Sequence, residues 1–275
     1  DLLYFGHSSK RKWKSLDKHF KDFVNVDKIA ETLANGDFDL FVVAGANPAM
    51  TFPDTNMWIN ALKKTKTLVI ETNHTETSAH ADFFLKVGGM FAQKDFLGSY
   101  FFGQDYEREK LTNEMSDSEA VEKLSEKLGL DIKIKDKSDV DEVSSPPRKY
   151  QTENLELLMP DVSDKFQFIS SSHHAYLNSQ ILPGMEKGLQ VVYINPVDAE
   201  KLGINSGDDL KISGDTGFFV AEALVTEDVM ERSIMCWKNI PMKEGFTNCA
   251  IPNRPTDSGD GLVYYTAFVD IEKSG

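Results

Sequence analysis

Leu40-Phe41-Val42-Val43-Ala44-Gly45-Ala46-Asn47-Pro48 decides the fold of this chain. An unbroken apolar run over 40–44 reads as a strand buried on both faces, and Gly45 to Pro48 reads as a turn. Pro53 and Asp54 open a helix that carries Met57, Trp58, Ala61 and Leu62 at helical spacing. Thr67-Leu68-Val69-Ile70 repeats the buried-strand pattern and ends in the polar turn Glu71-Thr72-Asn73-His74-Thr75-Glu76-Thr77. A short helix and a third apolar strand, Phe83-Phe84-Leu85, follow. Strand, turn, helix, repeated with continuous apolar strands, predicts a parallel sheet in an α/β domain. Ligands of such sheets bind at the carboxyl ends of the strands, where the turns at 45–48 and 71–77 fall.

Upstream, Leu16, Phe20, Phe23, Ile29 and Leu33 recur at spacings that predict a helix from about Ser15, closed at Gly36. Downstream, Ser118 to Leu128 reads as an amphipathic helix, and Lys135 to Asn154, with Ser144-Ser145-Pro146-Pro147, as an exposed linker. From Phe166 the pattern changes to short β-rich runs at Phe166–Ile169, Val191–Ile194, Leu210–Ile212, Phe218–Val225, Ile234–Trp237 and Tyr264–Ile271. A short helix ending at Gly203, and turns at Ser206–Asp209 and Gly214–Gly217, separate them. This is a β-barrel or sandwich signature without an internal sequence repeat. The predicted organisation is an α/β domain over 1–135, a linker over 136–154 and a β-rich barrel domain over 155–275.

The 275 residues are 40% hydrophobic and 27% charged, long enough to bury a core without disulfides or structural metal. Thirty Lys and Arg against 44 Asp and Glu give a net charge of −14, which speaks against a nucleic-acid or anionic-membrane surface. Cys236 and Cys249 are too few for a disulfide framework or a four-thiolate cluster, and point to a reducing, cytoplasmic setting. No apolar run reaches the roughly 18 residues of a membrane span. The start at Asp1, with no initiator methionine or signal pattern, reads as the interior of a longer chain.

Three segments together resemble the dimethyl sulfoxide reductase family of molybdopterin oxidoreductases. Gly36 through Ala49 is similar to that family's glycine-x-asparagine-proline strand end, and Thr75-Glu76-Thr77-Ser78-Ala79-His80-Ala81-Asp82 to its threonine-glutamate-threonine segment. Ile194-Asn195-Pro196 through Ile204, Gly207-Asp208 and Gly214-Asp215-Thr216-Gly217 resemble its C-terminal cofactor-binding domain. The likeness covers most of residues 30–130 and 165–272. It implies an α/β dinucleotide-binding domain followed by a double-psi-type barrel, together the C-terminal half of a formate dehydrogenase-like enzyme. It also implies a molybdenum or tungsten centre held by two molybdopterin guanine dinucleotides. The iron–sulfur cysteines and the metal ligand would lie in an N-terminal half or subunit, and electrons would pass to a further partner. Leu85-Lys86 stands where the family usually has leucine-proline, Met90 to Asp95 departs from its glutamate-bearing stretch, and His173 and His174 replace an acid and a base found in many relatives. These departures bear on substrate rather than fold.

A guanine dinucleotide needs N–H donors for its diphosphate and amide or carboxylate partners for ribose and base. Gly45, Asn47 and Pro48 offer close backbone approach and an amide, and Glu71 a carboxylate at a strand end. Thr72, Asn73 and Thr75 add hydroxyls and an amide. Each also has a plainer reading, an ordinary turn for Asn47-Pro48 and a helix cap or solvated acid for Glu71. The barrel's first strand runs into Ser171, Ser172, His173, His174, Tyr176, Asn178 and Ser179, which the resemblance places against pterin and phosphates. Neighbouring histidines on an extended strand point to opposite faces, so single use is favoured over metal chelation by the pair; a polar loop with one satisfied histidine is the alternative. Asn248 and Tyr265 fall where relatives place pterin-contacting groups, with core packing as the competing role. No catalytic residue, triad, phosphate-binding P-loop or metal cluster stands out. A non-enzymatic barrel module is the competing function, but such a module has no use for the asparagine-proline and threonine-glutamate-threonine turns.

Overall fold

The computed structural model describes residues 2–4, 11–13, 20–98, 105–132, 140–142, 163–176, 181–182, 184–256 and 261–274. Three strands, β1 (Phe41–Ala44), β2 (Thr67–Glu71) and β3 (Phe83–Lys86), form a parallel sheet in that order. Helices α1 (Ile29–Ala34) and α3 (Thr55–Lys64) cover one face, where Leu33, Trp58, Ala61 and Leu62 pack on Phe41, Val43 and Val69. Between β1 and α3 lies the single turn α2 (Pro48–Thr51). Helix α4 (Asp117–Lys127) packs on the other face, against Ile70 through Ala120. Its start is fixed by a capping box: Ser116 Oγ accepts from the Glu119 N–H, and the Glu119 carboxylate accepts from the Ser116 N–H.

The predicted long helix from Ser15 is not observed. Phe20–Phe23 is a strand paired in parallel with Leu2–Tyr4, and helix is present only over Ile29–Ala34; residues 14–19 lie outside the described ones. Phenylalanines three apart fit the helical period, and pairing with a distant strand overrides that local preference. Of the expected linker, only the strand Val140–Glu142 is described, paired with Arg11–Trp13. A third ribbon pairs Asp95–Gly98 with Asp105–Arg108.

The C-terminal strands close into a barrel. These are β4 (Phe166–Ser171), β5 (Val191–Ile194), β6 (Asp209–Ser213), β7 (Phe218–Val225), β8 (Ser233–Trp237) and β9 (Ala267–Lys273). Their order around the barrel is β4-β8-β5-β7-β6-β9. Two pairs are parallel, β4 with β8 and β5 with β7, and the other four are antiparallel. Advancing every strand by three maps this order and both parallel pairs onto themselves. The barrel therefore has two-fold connectivity without a sequence repeat, built from two interleaved halves of the kind the double-psi expectation requires. Phe168, Ile194, Leu210, Ile212, Phe219 and Ile234 fill it. Helix α5 (Pro196–Leu202) is capped by Asn195, whose side chain accepts from the Val197 N–H, and ends on Gly203 at φ +65°. Tyr264 and Tyr265 precede the last strand rather than opening it, because ladder pairing begins at Ala267.

Barrel and sheet units are joined by directed bonds. Asn248, in the short helical turn Thr247–Ala250, donates from Nδ2 to the Met50 and Phe52 carbonyls (2.9 and 3.1 Å). The Asn248 and Ile251 carbonyls both accept from the Asp54 N–H (3.0 and 2.8 Å). Asn56 donates to Thr216 O, and the Tyr264 hydroxyl to Thr51 O, each at 3.0 Å. A side chain at Gly217 would displace the Asn56 amide from its bond to Thr216 O, since its Cβ would stand 2.5 Å from Asn56 Nδ2.

Candidate functional site

The first strand tip is built for backbone turning. Gly45 sits at φ +59°, with nothing within 4 Å of where a Cβ would stand, and its N–H donates to Ile70 O. Pro48 starts α2, where its missing N–H costs nothing. Asn47 is buried, and its amide joins the two strand tips. Nδ2 donates to Glu76 Oε2 (2.6 Å), while Oδ1 accepts from the Thr77 N–H (3.1 Å) and hydroxyl (2.8 Å). The Thr77 hydroxyl also accepts from the Ala49 N–H (3.0 Å). In this conformation the Asn47 side chain holds the second turn against the first.

In that second turn, Glu71 Oε1 accepts from the Thr72 N–H (2.7 Å) and hydroxyl (3.0 Å), and Asn73 donates to the Thr72 hydroxyl. Thr75 and Ser78 exchange backbone-to-hydroxyl bonds, the Thr75 N–H to Ser78 Oγ (2.8 Å) and the Ser78 N–H to Thr75 Oγ1 (3.2 Å). The His74 ring stacks on Phe84 at 4.0 Å. Glu71 lies near the first residue of α4, Asp117, whose carboxyl is raised by burial and by that neighbouring charge, against the lowering effect of a hydrogen bond from Gln93.

The barrel contribution comes from the carboxyl ends of β4 and β8, adjacent because these strands are parallel. Past Ser171 the chain leaves the strand. Ser172 is exposed, and the His173 and His174 rings stack at 4.4 Å. The expectation that these histidines face opposite sides is thus corrected, because the backbone turns at 173–175 and no longer alternates. His173 Nδ1 accepts from the Ala175 N–H (3.2 Å), which puts the neutral ring's proton on Nε2. Tyr176 and Trp237 flank His173, the indole edge-on at 4.8 Å. Asn178 and Ser179 lie outside the described residues. No group of three or more His, Cys, Asp or Glu that could hold a metal is present among the described residues.

A continuous line of contacts runs from this loop to the first strand tip. The Lys238 N–H donates to Ser171 O (2.8 Å), and the Lys238 ammonium stands 5.9 Å from the centre of the Tyr264 ring. The Tyr264 hydroxyl reaches Thr51 O, and the Thr51 N–H and hydroxyl bond Asn47 O (both 2.9 Å). Burial and the neighbouring Tyr265 push the Tyr264 phenol up to about 12, so it donates at all physiological pH. Tyr265 is exposed, whereas Asn248 is buried between the two units. Both Asn248 bonds from Nδ2 serve that junction, and its Oδ1 has no partner. Two further buried atoms at this barrel end, Ser170 Oγ and Asn239 Oδ1, are likewise without partners. Sequence reasoning missed Glu76 and Thr77 as the partners of Asn47, and missed Lys238. The only sequence signal for Lys238 was a lone cation closing the apolar strand Ile234-Met235-Cys236-Trp237.

Among known proteins, residues 166–267 match the model of the molydopterin dinucleotide binding domain. The probable oxidoreductase YoaE of Bacillus subtilis (strain 168) is 24% identical over 297 residues, covering 84% of this chain and 44% of that protein. Dimethyl sulfoxide reductase DmsA of Escherichia coli (strain K12) is 31% identical over 116 residues, 39% of this chain and 14% of that one. Acetylene hydratase from Pelobacter acetylenicus superposes with a TM-score of 0.66 over 92% of this chain and 47% of its own, at 12% identity, a likeness of fold. The chain thus spans less than half the length of each of these proteins.

Proposed function

We propose, for a chain that carries the C-terminal region of the dimethyl sulfoxide reductase family of molybdopterin oxidoreductases, that it grips the guanine-dinucleotide end of a bis-pterin molybdenum or tungsten cofactor. The observation that supports this reading is the line of contacts from His173 through Trp237, Lys238, Tyr264 and Thr51 to Asn47, and from Asn47 to Thr77, which links the three separately predicted segments. The donor chemistry fits. Hydroxyls at Ser171 and Ser172 suit phosphate oxygens, the open space beside Gly45 allows close approach of a ligand, and the Nε2–H of His173 suits a polar ring edge or a phosphate. Glu71, Thr72, Asn73 and Thr75 form the ribose and base side. Asn47 keeps the two strand tips at a fixed separation, and the orphaned Asn248 Oδ1, Asn239 Oδ1 and Ser170 Oγ are buried polar atoms of the kind a bound polar group satisfies.

When bound, the metal–pterin group supplies two-electron redox chemistry, here of the formate dehydrogenase-like kind. This chain's residues bind and orient it and carry no catalytic step of their own. The metal ligand and iron–sulfur cysteines come from an N-terminal half or subunit, an electron-transfer partner completes the circuit, and the assembly works in the cytoplasm. Thermal unfolding with added GMP, with AMP in parallel, tests the reading. GMP at a hundred times its Kd should stabilise the chain by about 2.7 kcal/mol, and AMP by clearly less. No shift with millimolar GMP rejects it.

A further inference from the structure

We infer that Lys238 is the electrostatic anchor for the diphosphate of the bound dinucleotide and makes this site prefer a nucleoside diphosphate to a monophosphate. The inference rests on the cofactor reading above and assigns it a residue that neither motif nor family likeness singled out.

The barrel's lysines show why Lys238 differs. Lys165, Lys201, Lys211, Lys243 and Lys273 each pair with at least one carboxylate, as a chain of net charge −14 makes easy, and Lys187 stands exposed to solvent. Lys238 is partly buried, yet among the described residues no carboxylate lies within ion-pair distance of it. Among the described residues its ammonium contacts the Tyr264 ring, at a distance near the outer limit for a cation–π contact. A lysine drawn in from solvent without a counter-ion holds charge that an incoming anion neutralises.

Its surroundings match that anion. Lys238 closes β8 beside the end of β4, so its backbone holds Ser171 while its side chain reaches toward the sheet unit. Trp237, just before it, packs edge-on against the His173 ring, and Asn239, just after it, takes φ +60° and turns the chain out of the strand. A point charge with three donors, closing the strand beside the one that ends in Ser171, suits phosphate oxygens. Beside Tyr264, which bonds the sheet unit at Thr51, it would meet the diphosphate of a dinucleotide that spans the two units.

The test is calorimetric titration of the whole chain with inorganic pyrophosphate, GDP, GMP and guanosine, in the native protein, Lys238→Ala, Lys238→Arg and the control Lys187→Ala, an exposed lysine. Charge-assisted bonds of this kind correspond to about tenfold or more in affinity. Lys238→Ala should weaken GDP and pyrophosphate by at least that factor, collapse the preference for GDP over GMP, and leave guanosine unchanged. Lys238→Arg should recover most of the loss, and Lys187→Ala should match the native protein. If GDP binds and Lys238→Ala behaves like Lys187→Ala, the anchor is wrong while the cofactor reading stands. If neither GDP nor guanosine binds the native chain, both fail. Melting curves of each variant confirm that a lost affinity is not a lost fold.

Discussion

At the scale of single residues, the two strand tips are held together by one amide. Asn47 donates to Glu76 and accepts twice from Thr77, using both ends of its side chain at once. Only an amide does this, because an isosteric carboxylate has no donor to offer Glu76. Asn47→Asp would set two carboxylates 2.6 Å apart in a partly buried place. It should lower unfolding stability by about 2–3 kcal/mol at pH 7. Repulsion raises the pKa of one member of the new pair in the folded state. The deficit should therefore shrink as pH falls toward 4 and vanish in the double variant with Glu76→Gln. Urea unfolding at pH 7 and pH 4.5 checks this, and a deficit independent of pH would show that the amide acts only by packing.

At the scale of elements, helix α4 depends on its first turn. The apolar stripe of α4 is thin, with Ala120 its buried apolar contact on Ile70, so its capping box carries a large part of its stability. Ser116→Ala should cost about 1 kcal/mol and loosen cover of the sheet face at Ile70, read as faster amide exchange along β2. Hydrogen bonds from Lys110 and the Ser116 backbone hold the Glu119 carboxyl below its usual range. A lowered carboxyl contributes stability above its unfolded pKa and loses it as pH falls through the folded one. The helix should therefore fray in acid, near pH 4 and below, and Ser116→Ala should remove part of that dependence. Elements of this kind were legible in the sequence, because the apolar runs at Leu40 to Ala44, Val191–Ile194 and Phe218–Val225 carry their strand signal locally, although β1 is buried only at Phe41 and Val43, with Val42 and Ala44 exposed, and not on both faces as its unbroken run predicts. Phe20 to Phe23 was not, because its strand partner is eighteen residues upstream and no local period reveals it.

At the scale of the whole molecule, the candidate site lies across a junction, and this is why half of it was hidden. The turns at 45–48 and 71–77 and the hydroxyl-rich loop could be read from the sequence, but not which polar groups would be occupied by one another. Asn248, read as a ligand contact, also clamps barrel to sheet through its Nδ2; Lys238 reads as an ordinary surface lysine until five of the barrel's other lysines prove to have a carboxylate. Asn248 consequently governs whether the two units melt together. Asn248→Ala would leave the Met50 and Phe52 carbonyls unpaired in a buried place, at a cost of about 2–4 kcal/mol. The closed barrel has no free edge, whereas the parallel sheet keeps two edges and exposes Val42 (37%) and Phe83 (54%) on them. The sheet unit should therefore loosen first. Scanning calorimetry should turn one transition of the native chain into two in the variant, the barrel's close to the native temperature and the sheet's several degrees lower. Binding of a guanine nucleotide, which needs both sides of the junction, should weaken in parallel. A single, unshifted transition in Asn248→Ala would mean that the other bonds across the junction, at Asp54, Asn56 and Tyr264, couple the units without it, and that the asparagine is free to serve a ligand.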